Sequence, residues 1–312
     1  MAAVADTEEQ LAWERRQAKG AALAALAAAF FTFVGTVWRG LTLGDLPRTS
    51  VADTIGLAAQ PGPVGEATSL RVQTFEYYQD HATAVVLSSI MVAIGYFALG
   101  WTLSYLAAAT RARRPELPKI MLYLPIIGGV LQGISTIVSS FATSSAISSF
   151  LDGPRTVDAA LDIGASGLAV FAQILGLPGA LALALSLVLI ALNAMRVGLL
   201  TRFMGVLGMI TGALQILPIG GPLPVVQAFW LIMLSVLFLG RWPNGQPPAW
   251  ASGKAEPWPS SADVRAQRQK AMAARRGEAP PDDAEPAEAE EPVPANGPAP
   301  STSATKRKRK RR

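Results

Sequence analysis

The side chains best placed for chemistry in this sequence form a polar stripe inside an apolar run. The stripe residues recur at spacings of three and four, and they are Gln132, Ser135, Thr136, Ser139, Ser140 and Thr143. In an α-helix that spacing puts them along one face. In a membrane helix such groups either bond to neighbouring helices, at about 0.6 kcal/mol per bond, or line a pore or pocket. Packing is the favoured interpretation, although further serines from Ser144 to Ser149 favour an aqueous mouth at that end.

Most other site chemistry is excluded by residue type. The chain has no cysteine and one histidine. His81 stands beside Asp80, which is too few ligands for a metal site. The apolar runs contain no ionisable residue away from their ends, whereas proton-coupled transporters and voltage sensors need such groups. We therefore expect no enzymatic activity, no catalytic residue, no bound cofactor and no metal.

The element that carries the stripe is one of several predicted membrane spans. Of 312 residues, 51% are hydrophobic and 16% charged, against about a quarter charged in soluble domains. A membrane helix needs about 20 mostly apolar residues. Six runs fit or approach this length, and they are 20–38, 84–109, 120–143, 172–195, 203–217 and 225–240. The sequence predicts an all-α polytopic membrane helix bundle with about six transmembrane helices over residues 20–243.

Three segments of this plan leave alternatives open. The fourth run begins as early as Gly164, so it is either one span kinked near Pro178 or an interfacial helix followed by a span. The fifth run is short, and the Pro/Gly hairpin after it could lie slightly inside the membrane. The outer loop 40–83 is either a cap or a flexible connection, and the flexible connection is favoured.

The N-terminal segment 1–19 is predicted to be an amphipathic helix on the cytoplasmic side. Thr7 to Gln10 resembles a capping box at its start. The acidic leader and the length of the first apolar run argue for a retained helix over a cleaved signal peptide.

Basic residues set the orientation, because they are retained on the cytoplasmic side of short loops. With six spans they cluster on one side, at Arg15, Arg16, Lys19, Arg111, Arg113, Arg114, Lys119, Arg196, Arg202 and Arg241. Both termini are therefore expected in the cytoplasm, with the chain as a multi-pass protein.

The C-terminal segment 244–312 is predicted to be a disordered cytoplasmic tail, because it is proline-rich and has few large apolar residues. It includes one short helical stretch from Ser261 to Arg276 and an acidic block between Glu278 and Glu291. It ends in a basic heptad formed by Lys306, Arg307, Lys308, Arg309, Lys310, Arg311 and Arg312. The heptad is expected either to be simply solvated or to bind anionic lipid headgroups or an acidic protein surface. No specific nucleic-acid contact is expected.

Residues 172–259 resemble a bacterial family. Leu192 to Gly208 is similar to the turn between late helices of uncharacterised multi-spanning integral membrane proteins of the domain-of-unknown-function type. The segment from Phe229 to Trp250 is similar to the ending of such proteins. The resemblance implies a small helical bundle in the bacterial cytoplasmic (inner) membrane and supplies no activity.

Two functions remain open from the sequence. The first is a non-enzymatic scaffold or accessory protein, with membrane lipids as partners and a charged cytoplasmic tail, and a homo-oligomer is compatible with it. The alternative is a channel or uniporter-like transporter for a small neutral solute, lined by the polar stripe.

Overall fold

The chain is helical throughout the part that the structure describes. The computed structural model describes residues 2–59, 61–216, 224–243, 245–258 and 265, with side chains from Thr7 onward. No strand occurs among these residues, which confirms the all-α class. In chain order the helices are α1 (Ala2–Thr42), α2 (Val51–Ala58), α3 (Val72–Asp80), α4 (Ala82–Arg113), α5 (Ile120–Asp152), α6 (Val157–Asp162), α7 (Gly167–Arg196), α8 (Arg202–Ile216), α9 (Val225–Phe238) and α10 (Ala249–Ser252).

Four of these helices, α1, α4, α5 and α7, are long and apolar enough to cross a membrane. They contain the first four predicted runs. The other two apolar helices have 15 and 14 residues. At about 1.5 Å per residue, each is about 22 Å long, which is shorter than the hydrocarbon core of about 30 Å. The predicted count of six crossings is therefore not confirmed, while four long apolar helices are.

Glycine allows these helices to pack closely. α4 packs between α1 and α5, α5 packs against α7, and α7 packs against α8. At Gly129 an added Cβ would lie 2.6 Å from the Tyr96 carbonyl oxygen of α4, and at Gly179 it would lie 2.7 Å from the Gln132 backbone nitrogen of α5. A side chain at either position would push the helix backbones apart.

Most of the large side chains buried between the helices are apolar. Trp230 of α9 is fully buried, and its indole N–H donates to the Met204 carbonyl of α8 at 2.9 Å. That bond satisfies the one polar atom of a large buried ring. Other fully buried side chains of the same apolar core are Leu99, Leu103, Leu106, Leu183, Leu187, Ile190, Leu231 and Leu234.

Part of the segment between α1 and α4, where the sequence favoured a flexible connection, packs on the bundle as a cap, which is formed by residues 69–80. Phe75 of α3 packs edge-on against Phe150 of α5, with ring centroids 5.0 Å apart. The Ser69 amide also donates to the Arg155 carbonyl at 2.8 Å. These apolar and backbone contacts tie residues 69–75 to the end of α5 and the turn after it. The sequence did not indicate these contacts, because Phe75 packs against Phe150, which lies 75 residues further along the chain.

Two predicted helix starts are also corrected. α1 is continuous from Ala2 to Thr42, so Thr7 lies inside it and cannot be an N-cap. Residues 2–19, predicted as an amphipathic helix that leads into the first span, are the first part of α1. The helix that contains the predicted fourth span, α7, starts at Gly167 and continues through Pro178, while the residues before it form α6 and a short 3-10 turn.

Candidate functional site

The residues of the polar stripe lie in different surroundings and have different hydrogen-bond partners. Ser135 is buried and donates its hydroxyl to the Ala172 carbonyl of α7 at 2.7 Å. Thr136 donates to the Gln132 carbonyl of its own helix at 2.8 Å. Ser139 is exposed and Thr143 is half-buried. The structure therefore uses Ser135 for packing between helices and Thr136 for a bond within α5.

Ser140 lies towards the C-terminal end of this stripe, against the cap. It is buried, and its hydroxyl faces that of Tyr78 from α3. Neither oxygen has a well-formed hydrogen bond among the described residues. Burial raises the pKa of Tyr78, an effect that the positive charge of Arg39 and the Ser140 hydroxyl oppose.

A second polar group, which includes one residue of the stripe, lies in the middle of the bundle, where side chains of α4, α5 and α8 meet. The Tyr96 hydroxyl of α4 faces the side-chain amides of Gln215 from α8 and Gln132 from α5. The Oε1 atom of Gln132 is buried and has no hydrogen-bond partner among the described residues. We name these three residues the central polar cluster. A buried acceptor without a donor costs about 1–3 kcal/mol, so this cluster can accept a hydrogen bond from a small polar molecule.

An open cleft of about 390 Å³ lies at the C-terminal end of α5. Its polar lining comes from Ser145 and Ser149 of α5, Asp162 of α6 and Ser166, which caps α7. Its apolar lining includes Phe150 and Leu168. Of the four serines that the sequence placed beyond the stripe, Ser145 and Ser149 line this recess, and Ser144 and Ser148 are not among its lining residues.

The most extensively bonded charged site lies at the opposite end of the bundle. Arg113, at the end of α4, donates to both carboxylate oxygens of Glu14 in α1, at 2.6 and 3.0 Å. Both side chains are buried, with 0% and 4% exposed. Arg113 also donates to the Ala249 carbonyl at 3.0 and 2.7 Å. Its guanidinium therefore joins α1, α4 and α10.

Aromatic rings enclose this ion pair. Tyr105 stacks between Trp13 and Trp250, at centroid distances of 5.7 and 6.3 Å. Its hydroxyl donates to the Glu14 carbonyl at 3.1 Å. The Arg113 guanidinium lies 5.5 Å from the Trp250 ring centroid, within the range of a cation–π contact. The rings exclude water from the pair and so strengthen its electrostatic attraction.

The chain after α9 is held to the same end by backbone acceptors in the α7–α8 turn. Trp250 donates its indole N–H to the Leu199 carbonyl at 2.9 Å, and Trp258 donates to the Leu200 carbonyl at 2.8 Å. The Glu256 amide donates to the Val197 carbonyl at 3.0 Å. We call the contacts of residues 249–258 with Glu14, Arg113 and this turn the terminal clasp.

The clasp corrects the predicted start of the disordered tail. Residues 245–258 pack against the bundle, so predicting disorder from residue 244 is wrong for them. The rest of that tail, including the predicted helix and the basic heptad from Lys306 to Arg312, lies outside the described residues apart from residue 265. The described residues up to Trp258 form one compact unit.

The clasp residues were missed by sequence reasoning. Glu14 and Arg113 each lie near the end of an apolar run, where charges are ordinarily solvated, and the tryptophans lie in a proline-rich segment. Trp250 and Trp258 nevertheless offered a signal, because large aromatic rings are unusual in a chain that stays unfolded. Within the described ranges, no three His, Cys, Asp or Glu side chains group as metal ligands do.

Comparisons with known proteins identify no relative of the chain. No protein-family model, no curated protein and no solved structure matches it.

Proposed function

We propose that this protein is an integral membrane protein that acts as a non-enzymatic scaffold or accessory protein. The observation that carries the proposal is the terminal clasp. A buried ion pair, two indole hydrogen bonds and three stacked rings hold the chain up to Trp258 against one end of the bundle. A transporter or an enzyme does not need to hold the beginning of a charged C-terminal segment against the bundle. A scaffold that offers this segment to lipid or to a partner protein does.

The topology that we propose has the clasp at the cytoplasmic face. The clasp end carries Arg111, Arg113, Arg114 and Lys119, and basic residues are retained on the cytoplasmic side. α1 enters and α9 returns at this end, so both termini are cytoplasmic. The resemblance of the late helices to bacterial integral membrane proteins supports the cytoplasmic (inner) membrane as the location.

The two short helices support a half-membrane hairpin in place of the fifth and sixth crossings. α8 runs back along α7, since Gly205 contacts Met195 and Gly212 contacts the Ala184 carbonyl. One turn later Gln215 reaches Tyr96, which lies near the middle of α4. α8 thus ends halfway along the bundle, and α9 returns towards the clasp. Four crossings with this hairpin leave both termini on one side, as six crossings would.

The scaffold proposal assigns the contact with lipid or a partner to the basic heptad from Lys306 to Arg312. Each basic residue near an anionic surface contributes about 1 kcal/mol. The seven positive charges of the heptad balance the seven acidic residues of the block before it. A rigid clasp places the start of this charged chain close to the membrane, which raises the local concentration of the heptad at the leaflet.

The test compares the full chain with a variant in which residues 306–312 are glutamine. The matched control replaces the uncharged residues 295–301 with glutamine. Each protein is reconstituted, and the binding of added anionic vesicles is measured against salt. We expect the heptad variant to lose vesicle binding and its salt dependence, and the control to retain both. Equal binding by the two variants would contradict a lipid role for the heptad.

A second function is favoured by the central polar cluster. An unpaired acceptor at Gln132, which faces Tyr96 of α4 and Gln215 of the short helix α8, suits a channel or uniporter for a small neutral solute, because interrupted helices mark substrate sites in transporters. Glycerol or urea flux into proteoliposomes tests this. We expect loss of flux in Gln132→Leu and normal flux in Gln173→Leu, an exposed amide on α7. The absence of flux in wild type would contradict it.

A further inference from the structure

One face of α4 is apolar and exposed along much of its length. Leu87, Ile94, Phe97 and Trp101 are 46%, 41%, 40% and 58% exposed. Their spacing of seven, three and four residues places them on one side of the helix. Because α4 is a helix able to cross a membrane, this stripe suits contact with lipid acyl chains.

The same face ends in a cleft at the clasp end of the bundle. Ala108 and Ala112 continue the spacing of Trp101 along α4 and line this cleft, which has a volume of about 340 Å³. The other lining residues come from α1, α5 and the end of α4 with the turn after it, and they are Gln10, Leu122, Arg111 and Pro115. The cleft is thus bounded by three helices and joins the apolar stripe to a polar end.

Arg111 is the cation of this cleft and is fixed in place. It is half-buried, and its Nε–H donates to the Leu117 carbonyl at 3.0 Å. Its two Nη groups make no hydrogen bond or ion pair with the described residues. A guanidinium that is oriented by one bond and has its fork open suits a phosphate group.

The groups beside Arg111 favour a ligand that carries an anionic group and, next to it, a hydrogen-bond donor. Glu14 lies close by, but its carboxylate is already bound by Arg113, so it does not neutralise Arg111. Gln10 donates its Nε2 group to Glu14 at 3.0 Å, which leaves its side-chain oxygen as an acceptor in the cleft lining. The cleft therefore offers a cation for phosphate and an acceptor for a hydroxyl or ammonium.

We propose that this cleft binds one anionic glycerophospholipid from the leaflet at the clasp end. The phosphate pairs with the Nη groups of Arg111, the headgroup donor meets the Gln10 oxygen, and the acyl chains lie along the nearer part of the stripe, over Trp101 and Phe97. A soluble phosphate ester does not suit the cleft as well, because the cleft continues into an exposed apolar face. This site is on the bundle and does not involve the basic heptad.

The test uses the full-length protein in a mild detergent with equal amounts of phosphatidylglycerol and phosphatidylcholine. Native mass spectrometry measures the ratio of the two lipids retained. We expect a preference for phosphatidylglycerol that falls about fivefold in Arg111→Gln, as expected for the loss of one basic group. Lys254→Gln removes an exposed cation outside the cleft and should leave the ratio unchanged. All variants keep the heptad, so its contribution cancels.

Two further arms keep the result interpretable. Ala112→Phe fills the cleft from an exposed position and keeps every charge, so a fall in the ratio in this variant supports the site even where Arg111→Gln folds poorly. Excess glycerol phosphate should not displace the lipid. An unchanged ratio in Ala112→Phe, an equal fall in Lys254→Gln, or displacement by glycerol phosphate would each overturn the proposal.

Discussion

Arg113 of α4 and Glu14 of α1, which are 99 residues apart in the sequence, form a bidentate ion pair. The guanidinium also donates to the Ala249 carbonyl, so one side chain fixes the first helix, the end of α4 and the segment after α9. Removing one partner of such a buried pair leaves a charge without compensation, and that costs more than the pair itself contributes. The clasp is therefore a site where a single substitution has a large effect.

Substitution of Glu14 is expected to destabilise the bundle. Glu14→Gln leaves the Arg113 cation buried without its carboxylate, at a cost on the order of 3 kcal/mol. The measurement is the thermal unfolding midpoint of the purified protein in detergent. Glu116→Gln is the matched control, since the Glu116 side chain is 85% exposed and lies 3.8 Å from Arg114. A similar midpoint for both variants would show that the pair does not hold the clasp.

Gly198 is expected to tolerate no side chain. It has a φ of +79° in the turn after α7, and an added Cβ would collide with the Glu256 carbonyl oxygen. Gly198→Ala should cost about 1–3 kcal/mol from the backbone conformation alone and should loosen residues 256–258. Limited proteolysis near residue 258 checks this. Gly56→Ala, an exposed position with no neighbour within 4 Å, should be cleaved as slowly as wild type.

Alkaline pH is expected to weaken the cap through Tyr78. Because burial raises the pKa of Tyr78 in the folded protein, the neutral phenol is favoured by folding. This contribution is complete below the ordinary tyrosine pKa of about 10 and is lost as the pH rises through the higher folded value. The unfolding midpoint should therefore fall above about pH 10, and less so in Tyr78→Phe. An identical fall in both proteins would exclude Tyr78 as the cause.

Thiol accessibility along α5 distinguishes packing from a water-filled path. The wild type has no cysteine, so single cysteines at Gln132, Ser135, Ser139 and Thr143 can be probed with a membrane-impermeant reagent. The scaffold proposal predicts protection at Gln132 and Ser135, which face α4 and α7. Labelling at both positions would favour the solute pathway instead.

The long spans could be predicted from sequence, whereas the clasp could not. α4 and α7 could be predicted from mostly apolar runs of more than 20 residues, since the formation of a span depends on local hydropathy. The pairing of Glu14 with Arg113 depends on how α1 packs against α4, which no local pattern encodes. Gln132 was predictable only in part. Its place on a polar helix face followed from the sequence, but its neighbours Tyr96 and Gln215 did not. The cap was missed for the same reason, since Phe75 is stabilised by the distant Phe150.

The most direct test of the scaffold account is a cross-link across the clasp in native membranes. Thr7 contacts Gly253, so a double variant with Thr7→Cys and the adjacent Lys254→Cys should react with a short bis-maleimide within one chain. The matched control pairs Thr7→Cys with Ser145→Cys at the opposite end of the bundle. The account predicts an internal cross-link in the first variant, seen by mass spectrometry of the digested protein, and none in the control. Failure of the first pair to cross-link, with both thiols labelled singly, would contradict a clasped C-terminal segment.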